Sequence, residues 1–282
     1  MKWRGRRESR NIEDRRGRSK TRAAGGIGGV GLVAVLVVAY FLGIDVTPLL
    51  QDQGDGRNMA PAQMTQADKD AGQFVSVTLA DTEEVWAHVF QDQLGRPYSP
   101  ATLVLFKAAT NSPCGGASGA SGPFYCPADK KAYLDTDFFV TLERHLGAKG
   151  DFAAAYVVAH EIAHHVQNEL GILARANEVR AQVSQADSNA VSVRVELQAD
   201  CFAGIWAGAA QEKFGTIERG DLEEAINAAR KIGDDTLQRN AGQRPNPHSF
   251  THGTSAQRAR WFVTGYQSGS LGSCDTFSTN DL

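Results

Sequence analysis

The sequence predicts an α+β fold that is mostly helical, has a small sheet and is preceded by one transmembrane helix. The strand-like segments come before residue 140 and long helical stretches follow it, which favours α+β over an alternating α/β sheet. Residues 23–44 carry no charge and are numerous enough to cross a bilayer as a helix. The 282 residues suffice for one well-packed domain with attachments.

The first 22 residues are strongly basic. They contain ten Lys or Arg and three acidic residues, a net charge of +7, so the remaining residues carry −10. A basic run can indicate a nucleic-acid partner, but this one directly precedes the uncharged stretch. By the positive-inside rule we interpret residues 1–22 as a basic cytoplasmic tail and expect no nucleic-acid partner.

Residues 23–44 are predicted to be an uncleaved anchor in the lipid bilayer. Their apolar core, 32–42, is not followed by the small-x-small site that a cleaved signal peptide needs. The sequence therefore predicts a single-pass protein of the bacterial inner (cytoplasmic) membrane, with a cytoplasmic N-terminus and a periplasmic or extracellular main domain. Gly25 and Gly29 have the spacing of a helix-pairing face, which allows a weak homodimer through the anchor.

The rest of the chain divides into a linker and one domain. Residues 45–72 are polar and rich in turn-forming residues, so we expect a flexible linker. Residues 73–282 are expected to form one extracytoplasmic domain. Apolar periodicity predicts helices over 75–90, 178–190, 193–214, 221–232 and 255–265, and strands over 103–106 and 133–140.

His160, Glu161 and His164 form an HExxH motif in a segment that is predicted to be helical. Residues four apart lie on one face of a helix, so both imidazoles can reach the same ion. Glu161 would then stand beside that ion, where a carboxylate can act as general base towards water. The preceding residues 152–159 are free of Gly and Pro, as an uninterrupted helix requires.

The third metal ligand is predicted to be Glu196. Gln167 and Leu170 exclude the extended motif HExxHxxGxxH, which needs Gly and His at those positions. Glu196 and Asp200 lie four apart in the apolar stretch 195–206, where an acid is costly unless it is paired or binds a metal. Asp200 would accept the free ring N–H of a ligand histidine. Ion pairs on the helix surface remain an alternative role for Glu196 and Asp200. The rival candidates for the third ligand lie in polar surroundings: Glu169, Glu178 and Asp187.

Several segments resemble the bacterial putative neutral zinc metallopeptidase family. They are HEIAHH, ELQADCFAG, FTHGTSAQRARWF, the opening KWRGRRESRNIEDRRG, and CPADKKAYLDTDFF, which together span nearly the whole chain. The resemblance implies a zincin-like fold, a Zn²⁺ ion with Glu196 as third ligand, and Glu161 as general base. It does not imply a substrate.

The four cysteines fit an oxidising compartment. Cys114 and Cys126 bracket a Gly/Ser-rich loop, which a disulfide would stabilise by about 3 kcal/mol in the chain-entropy model. Cys201 and Cys274 are the remaining pair and could tie the C-terminal segment to the Glu196 helix. The sequence leaves the connectivity open. A cysteine zinc site is the rival interpretation, but no CxxC spacing favours it.

A turn-rich loop at 246–254 contains His248 and His252. Zinc peptidases need a donor besides the metal for the oxyanion, and His252 matches the FTHGTSAQR stretch of the family, so it is a catalytic candidate. Arg258 is expected to orient an acid such as Asp200. Two ordinary surface-loop histidines are the alternative interpretation. His165 is expected to point away from the metal and to be structural.

The sequence thus predicts a membrane-anchored zinc metallopeptidase that cleaves a peptide or protein substrate. The strand near residues 134–139 is the predicted edge for an extended substrate backbone. One alternative is a membrane-tethered scaffold or binding protein with a structural metal, although closed structural sites usually have four protein ligands. A zinc amidase acting on cell-wall peptides is another alternative, which would share the mechanism and differ in the pocket.

Overall fold

The computed structural model describes residues 1–16, 64–118 and 122–282. In these ranges a small sheet lies beside a set of long helices, as the sequence predicted. The strands are β1 (Ile12–Asp14), β2 (Thr102–Phe106), β3 (Ala109–Ser112), β4 (Gly115–Ser118), β5 (Phe124–Cys126) and β6 (Lys131–Asp135). The helices are α1 (Gln66–Leu94), α2 (Phe138–Arg144), α3 (Asp151–Glu169), α4 (Ile172–Arg180), α5 (Gln185–Phe214), α6 (Asp221–Lys231), α7 (Asp234–Asn240) and α8 (Ser255–Ser268), with 3-10 turns at Pro247–Ser249 and Leu271–Cys274.

The main sheet has four strands in the order β1-β2-β6-β5. β2 is parallel to both β1 and β6, whereas β5 runs antiparallel to β6. β3 and β4 form a separate two-stranded hairpin. The predicted strand 133–140 is wrong in its second half, because β6 ends at Asp135 and the chain turns into α2. The predicted edge for a substrate backbone at residues 134–139 is wrong for residues 136–139, which lie in a turn and in α2. β5 pairs with Lys131–Tyr133 of β6 and is an edge strand of this sheet.

The basic N-terminal segment is an integral part of this fold. β1 pairs with β2, and Met1 and Trp3 are only 8% exposed. Four of its arginines contact acidic side chains, so their charge is used inside the domain. The ion pairs are Arg6 with Asp81, Arg7 with Glu83 and Glu84, Arg15 with Glu13, and Arg16 with Asp14. A separate cytoplasmic tail over 1–22 is therefore a wrong prediction for residues 1–16.

The predicted single-pass membrane topology needs the same correction. None of the helices in the described ranges has the length and apolar character needed to cross a membrane, and the predicted span 23–44 lies outside those ranges. Arg16 donates a hydrogen bond to the carbonyl oxygen of Asp68, so described residues that precede and follow the predicted span lie side by side. A single crossing would put these residues on opposite sides of a bilayer. The preceding transmembrane helix and the inner-membrane localisation with a cytoplasmic N-terminus are thus contradicted.

The boundary of the predicted linker also shifts. Of residues 45–72, those from 66 onward already belong to α1, which Thr65 and Asp68 begin with a reciprocal capping box. Residues 45–63 lie outside the described ranges, as does the Gly25–Gly29 pairing face. The helix predicted over 178–190 is interrupted at residues 181–184, because Ser184 caps a new helix, α5.

Two long helices, α3 and α5, form the centre of the core together with α8. α5 and α8 approach closely because glycines face the opposite backbone: a Cβ on Gly204 would overlap the carbonyl oxygen of Phe262, and one on Gly265 would overlap that of Cys201. Phe152 of α3 stacks on Trp206 of α5 with ring centroids 5.8 Å apart. This packing fixes α3 and α5 relative to each other.

Both predicted disulfides are present. Cys114 pairs with Cys126 and closes the loop that contains β4. Cys201 of α5 pairs with Cys274 of the C-terminal 3-10 turn, 73 residues further on. All four cysteines are used in these bonds, so the rival cysteine zinc site is excluded.

Candidate metal centre

The HExxH motif lies in the buried middle of α3. Residues 152–163 of this helix are all buried, since α1, α5 and α6 pack around it. Gly150, with φ of 101°, ends the preceding loop in a conformation that an L side chain rarely adopts. His160 and Glu161 are only 6% and 9% exposed. A helix that is enclosed on most sides holds its side chains in fixed positions.

α3 and α5 bring His160, His164 and Glu196 together. The Nε2 atom of His160 lies 3.1 Å from Oε2 of Glu196, and the Nε2 atom of His164 lies 3.4 Å from Oε1 of the same carboxylate. Both Nε2 atoms therefore face one carboxylate, although Glu196 comes from a different helix.

The donor set fits a tetrahedral Zn²⁺ ion. Two ligand atoms at ordinary Zn–N and Zn–O lengths of about 2.0–2.1 Å lie about 3.3 Å apart around a tetrahedral ion, close to the two distances found here. Two imidazoles and one carboxylate are also the ligand types that zinc enzymes use, with a fourth position left open. His160, His164 and Glu196 would hold such an ion.

His160 is oriented from behind by Asp200. Its Nδ1 atom lies 2.9 Å from Oδ1 of Asp200, an ion-pair distance, although the angle is poor for a hydrogen bond. Asp200 is fully buried and is held by Nε and Nη2 of Arg258 at 2.8 and 3.0 Å, and Tyr156 also donates its hydroxyl to it. Burial acts to raise the pKa of Asp200, but Arg258 and then His160 hold it below its usual value. Asp200 therefore stays charged.

His164 is oriented by a neutral partner, Gln167. The His164 Nδ1–H group faces Oε1 of Gln167 at 2.8 Å, which leaves Nε2 as the metal-facing nitrogen. The Gln167 amide also donates to the carbonyl oxygen of Val195 and to Oε1 of Gln198, at 2.8 and 3.0 Å. Gln167 thereby joins α3 to α5 beside Glu196.

The electrostatics of the site favour a cation. Burial lowers the pKa of His160, yet Asp200 and Glu196 raise it to about 10 overall. Burial likewise acts to raise the pKa of Glu196, but His164, His252 and His160 hold it well below its usual range. The negative potential that binds a proton here would equally attract a divalent cation.

Glu161 lies next to the ligand set but is not part of it. Its carboxylate lines the same cavity as both histidines. Burial raises the pKa of Glu161 to about 7. A carboxylate with this pKa can both accept and return a proton near neutral pH.

His252 reaches the same cavity from the loop before α8. A single oxygen of Asp234, Oδ2, accepts the backbone N–H groups of Thr251, His252 and Gly253 at 2.8, 2.6 and 2.9 Å. The other oxygen lies 3.4 Å from Nδ1 of His252. Asp234 thus fixes both the loop and the ring, while the His252 side chain stays 49% exposed towards the cavity.

The cavity is an open cleft of about 880 Å³ beside the HExxH helix, called the cleft below. One wall comes from β5 and the residues around it, including Gly122, Phe124 and Tyr125. Cys126 at the end of β5 belongs to the Cys114–Cys126 disulfide, so that wall is cross-linked. Apolar side chains from α2, α3, α5 and α7 line most of the remainder.

The other residues singled out from the sequence lie elsewhere. His248 is exposed and is not among the residues that line the cleft. His165 is buried, where its Nδ1 contacts the Tyr125 hydroxyl at 3.0 Å and its Nε2–H faces the Ser99 carbonyl oxygen at 2.7 Å, so its role is structural. None of the rival acids joins a ligand set: Glu169 pairs with Lys130, Glu178 is exposed, and Asp187 accepts a hydrogen bond from Ser184 in the first turn of α5.

A second acidic group is neutralised by the protein itself. Asp151, Asp221 and Glu224 converge at the start of α3, and the amino group of Met1 lies 2.8 Å from Asp151 and 3.1 Å from Asp221. The ammonium group already supplies the positive charge that this cluster needs. His160, His164 and Glu196 are the better candidate for a metal.

Asp234 and Gln167 are among the site residues that the sequence did not reveal. Asp234 is 18 residues from His252, and nothing in its surroundings distinguishes it from the neighbouring Asp235. Gln167 did carry a signal, because it stands three residues after His164 and therefore on the same helix face. In the sequence, Gln167 indicates only that the longer motif HExxHxxGxxH is absent.

The chain belongs to the putative neutral zinc metallopeptidase family. The family model matches residues 1–277, so the chain is a member over nearly its whole length. It is similar to the uncharacterized protein YpfJ of Escherichia coli (strain K12), with 44% identity over 98% of this chain and 99% of the relative. It is also similar to the uncharacterized protein Rv2575 of Mycobacterium tuberculosis, with 42% identity over 86% of each chain. No solved structure matches the chain.

Proposed function

We propose that this protein is a zinc-dependent peptidase that hydrolyses peptide bonds in the cleft. The convergence of His160, His164 and Glu196 beside the carboxylate of Glu161 carries the proposal. Three ligands on an open cleft of about 880 Å³ are typical of a catalytic site, because a structural zinc site is usually closed by a fourth protein ligand. This argues against a scaffold with a structural metal.

Zn²⁺ bound by these residues would supply Lewis acidity, which polarises a carbonyl group and makes water more acidic. Glu161 accepts the proton of the attacking water on its carboxylate and later returns it to the departing amine. His252 donates a hydrogen bond from Nε2 to the carbonyl oxygen as negative charge develops there. Nε2 carries a proton when the imidazole is protonated or when Nδ1 accepts a hydrogen bond from Oγ1 of Thr251, 3.0 Å away. Burial lowers the pKa of His252, but Glu196 and then Asp234 raise it overall, which favours the protonated ring.

The substrate backbone would lie along β5. This strand pairs only with β6 in the described sheet, and its residues line the cleft. An extended peptide that adds to such an edge passes directly in front of the HExxH helix. An unfolded or extended segment of a protein is therefore a better substrate than a compact one.

The test is hydrolysis of an unfolded protein and of a peptide mixture by the purified full-length chain. Glu161→Gln keeps the shape of the side chain and removes its ability to accept a proton, so the rate should fall by about 10²–10⁴. Zinc content, measured by elemental analysis, should not change because Glu161 is not a ligand. Glu169→Gln on the same helix, outside the cleft, is the matched control and should retain activity. Equal activity of the Glu161→Gln variant and the parent would reject the proposed mechanism.

A further inference from the structure

One face of α4 lines the cleft with three side chains. Leu173, Asn177 and Arg180 are spaced four and three residues apart, so they project from the same side of the helix. Leu173 packs with Tyr125 and Val195 in a small apolar cluster. Arg180 therefore stands at the end of an otherwise apolar and neutral wall.

Arg180 has only neutral partners. Its Nη1 donates to Oγ of Ser192 at 3.0 Å, and its Nη2 donates to Oδ1 of Asn177 at 2.6 Å. No carboxylate forms an ion pair with it among residues 1–16, 64–118 and 122–282. Ser192 and Asn177 hold the guanidinium group in place without neutralising it.

Three other charged side chains of the cleft already have partners. Arg258 is paired with Asp200, and Asp234 is bonded to the loop of His252. Glu196 faces the two histidines. Arg180 thus differs from them, because its positive charge lacks a counter-charge within the described protein.

The contact with Ser192 also fixes where Arg180 lies relative to the metal centre. Ser192 is four residues before Glu196 on α5, so the two side chains share a helix face and are about 6 Å apart along the axis. A residue of an extended chain spans about 3.3 Å. A group bound by Arg180 would therefore be one to three residues away from the scissile bond.

We infer that Arg180 selects substrates that carry a carboxylate one to three residues from the scissile bond. The inference rests on the proposed peptidase function and names its substrate class. A guanidinium fork that is already held by two hydrogen bonds binds a carboxylate with little loss of side-chain freedom. Leu173 and Val195 belong to a buried apolar cluster on the same wall of the cleft. Either an acidic side chain or the free C-terminus of a peptide can supply this group.

The experiment measures peptide binding to the zinc-loaded full-length Glu161→Gln protein by fluorescence polarisation. The probes are labelled apolar peptides in which one Glu is moved along the sequence, the same peptides with Gln, and versions that end in a carboxylate or an amide. Loss of the recognised carboxylate should weaken binding about 10- to 100-fold. The Glu/Gln comparison and the acid/amide comparison identify which source of carboxylate is used.

The variant Arg180→Gln should remove this discrimination and bind carboxylate and neutral peptides equally. Arg175→Gln is the matched control, since Arg175 lies on the same helix but is exposed and does not line the cleft. Melting temperatures of both variants check that the fold is intact, and Arg180→Lys provides a second variant that retains charge without the fork.

Each outcome is decisive. Discrimination that is lost in Arg180→Gln and kept in Arg175→Gln supports the inference. If peptides bind but carboxylate and neutral versions bind equally, the inference is rejected and the proposed function stands. If no peptide binds to the Glu161→Gln protein, the proposed function fails and the inference fails with it.

Discussion

The two histidines of the HExxH motif are held by chemically different partners. His160 contacts a buried carboxylate that is itself paired with Arg258, whereas His164 contacts the neutral amide of Gln167. The acidic partner could be predicted, because burying a carboxylate in an apolar helix is costly unless it is paired or binds a metal. The role of Gln167 could not be predicted, since a glutamine in a helix can have many roles and its contacts with α5 depend on the tertiary structure.

At this scale we predict the effect of removing the third candidate ligand. Glu196→Ala should weaken zinc binding at least about 100-fold, because even loss of a residue that only orients a ligand commonly costs 10- to 100-fold. Competition with a chelating dye measures the affinity. Glu178→Ala serves as control because Glu178 is exposed and belongs to no ligand group. Tight, stoichiometric zinc in dialysed Glu196→Ala protein would show that the carboxylate is not a ligand.

Among the elements, the long helices were predictable and most of the strands were not. The apolar periodicity of α1, α5, α6 and α8 extends over at least ten residues and specifies a buried face. β1 and β5 have only three residues each, and β4 is rich in glycine, so their local sequence carries no comparable signal. Their positions depend on pairing with distant segments, as when β1 adds to β2 about 90 residues later. Residues 138–140 were assigned to a strand because three apolar residues in a row do not distinguish strand from helix.

The close approach of α5 and α8 leads to a prediction for that pair of helices. A methyl group at Gly265 would overlap the carbonyl oxygen of Cys201, so Gly265→Ala must push the helices apart and should destabilise the protein by about 1–3 kcal/mol. Urea unfolding provides the free energy of unfolding. Gly272→Ala is the control, because the nearest atom to its Cβ would be Oγ of Ser270 at 3.7 Å, an ordinary contact. Equal stability of both variants would mean that α5 and α8 are less tightly packed than described.

For the whole molecule, the hydropathy of residues 23–44 and the basic charge before them led to a wrong topology. The sequence does not reveal that Arg6 and Arg7 have acidic partners on α1, more than 70 residues away. Basic residues that are neutralised within the fold look the same in composition as basic residues that flank a membrane. The positions of the cysteines, by contrast, suggested the two candidate pairs that are present, because two of them bracket one loop and leave the other two; their number alone allows three connectivities.

The pH dependence of stability tests how firmly the N-terminal segment is attached. Arg15 and then Lys131 lower the pKa of Glu13 from 4.5 to about 2. Because folding lowers this pKa, ionised Glu13 stabilises the folded protein above about pH 4.5. This stabilisation is lost as the pH falls towards 2. Because Glu13 is 30% exposed, we expect Glu13→Gln to cost about 1 kcal/mol or less at pH 7. The difference from the parent should be clearly smaller at pH 3.

Urea unfolding at pH 7 and pH 3 measures this difference. Glu8→Gln is the control, since the side-chain hydrogen-bond partner of Glu8 among the described residues is the neutral amide of Gln73. A cost of Glu13→Gln that is the same at both pH values would contradict the ion pairs of Glu13 with Arg15 and with Lys131 of β6.

The position of β1 also decides which fragments of this protein can be handled in isolation. β2 has four buried residues among five, and β1 covers one of its two edges. A fragment that begins after residue 63 exposes this edge, with its unpaired N–H and C=O groups beside apolar side chains. Such an edge recruits strands from other molecules, so the fragment would aggregate even though it contains every residue of the metal centre. Cutting the chain at the apparent end of its basic segment removes a strand of the sheet.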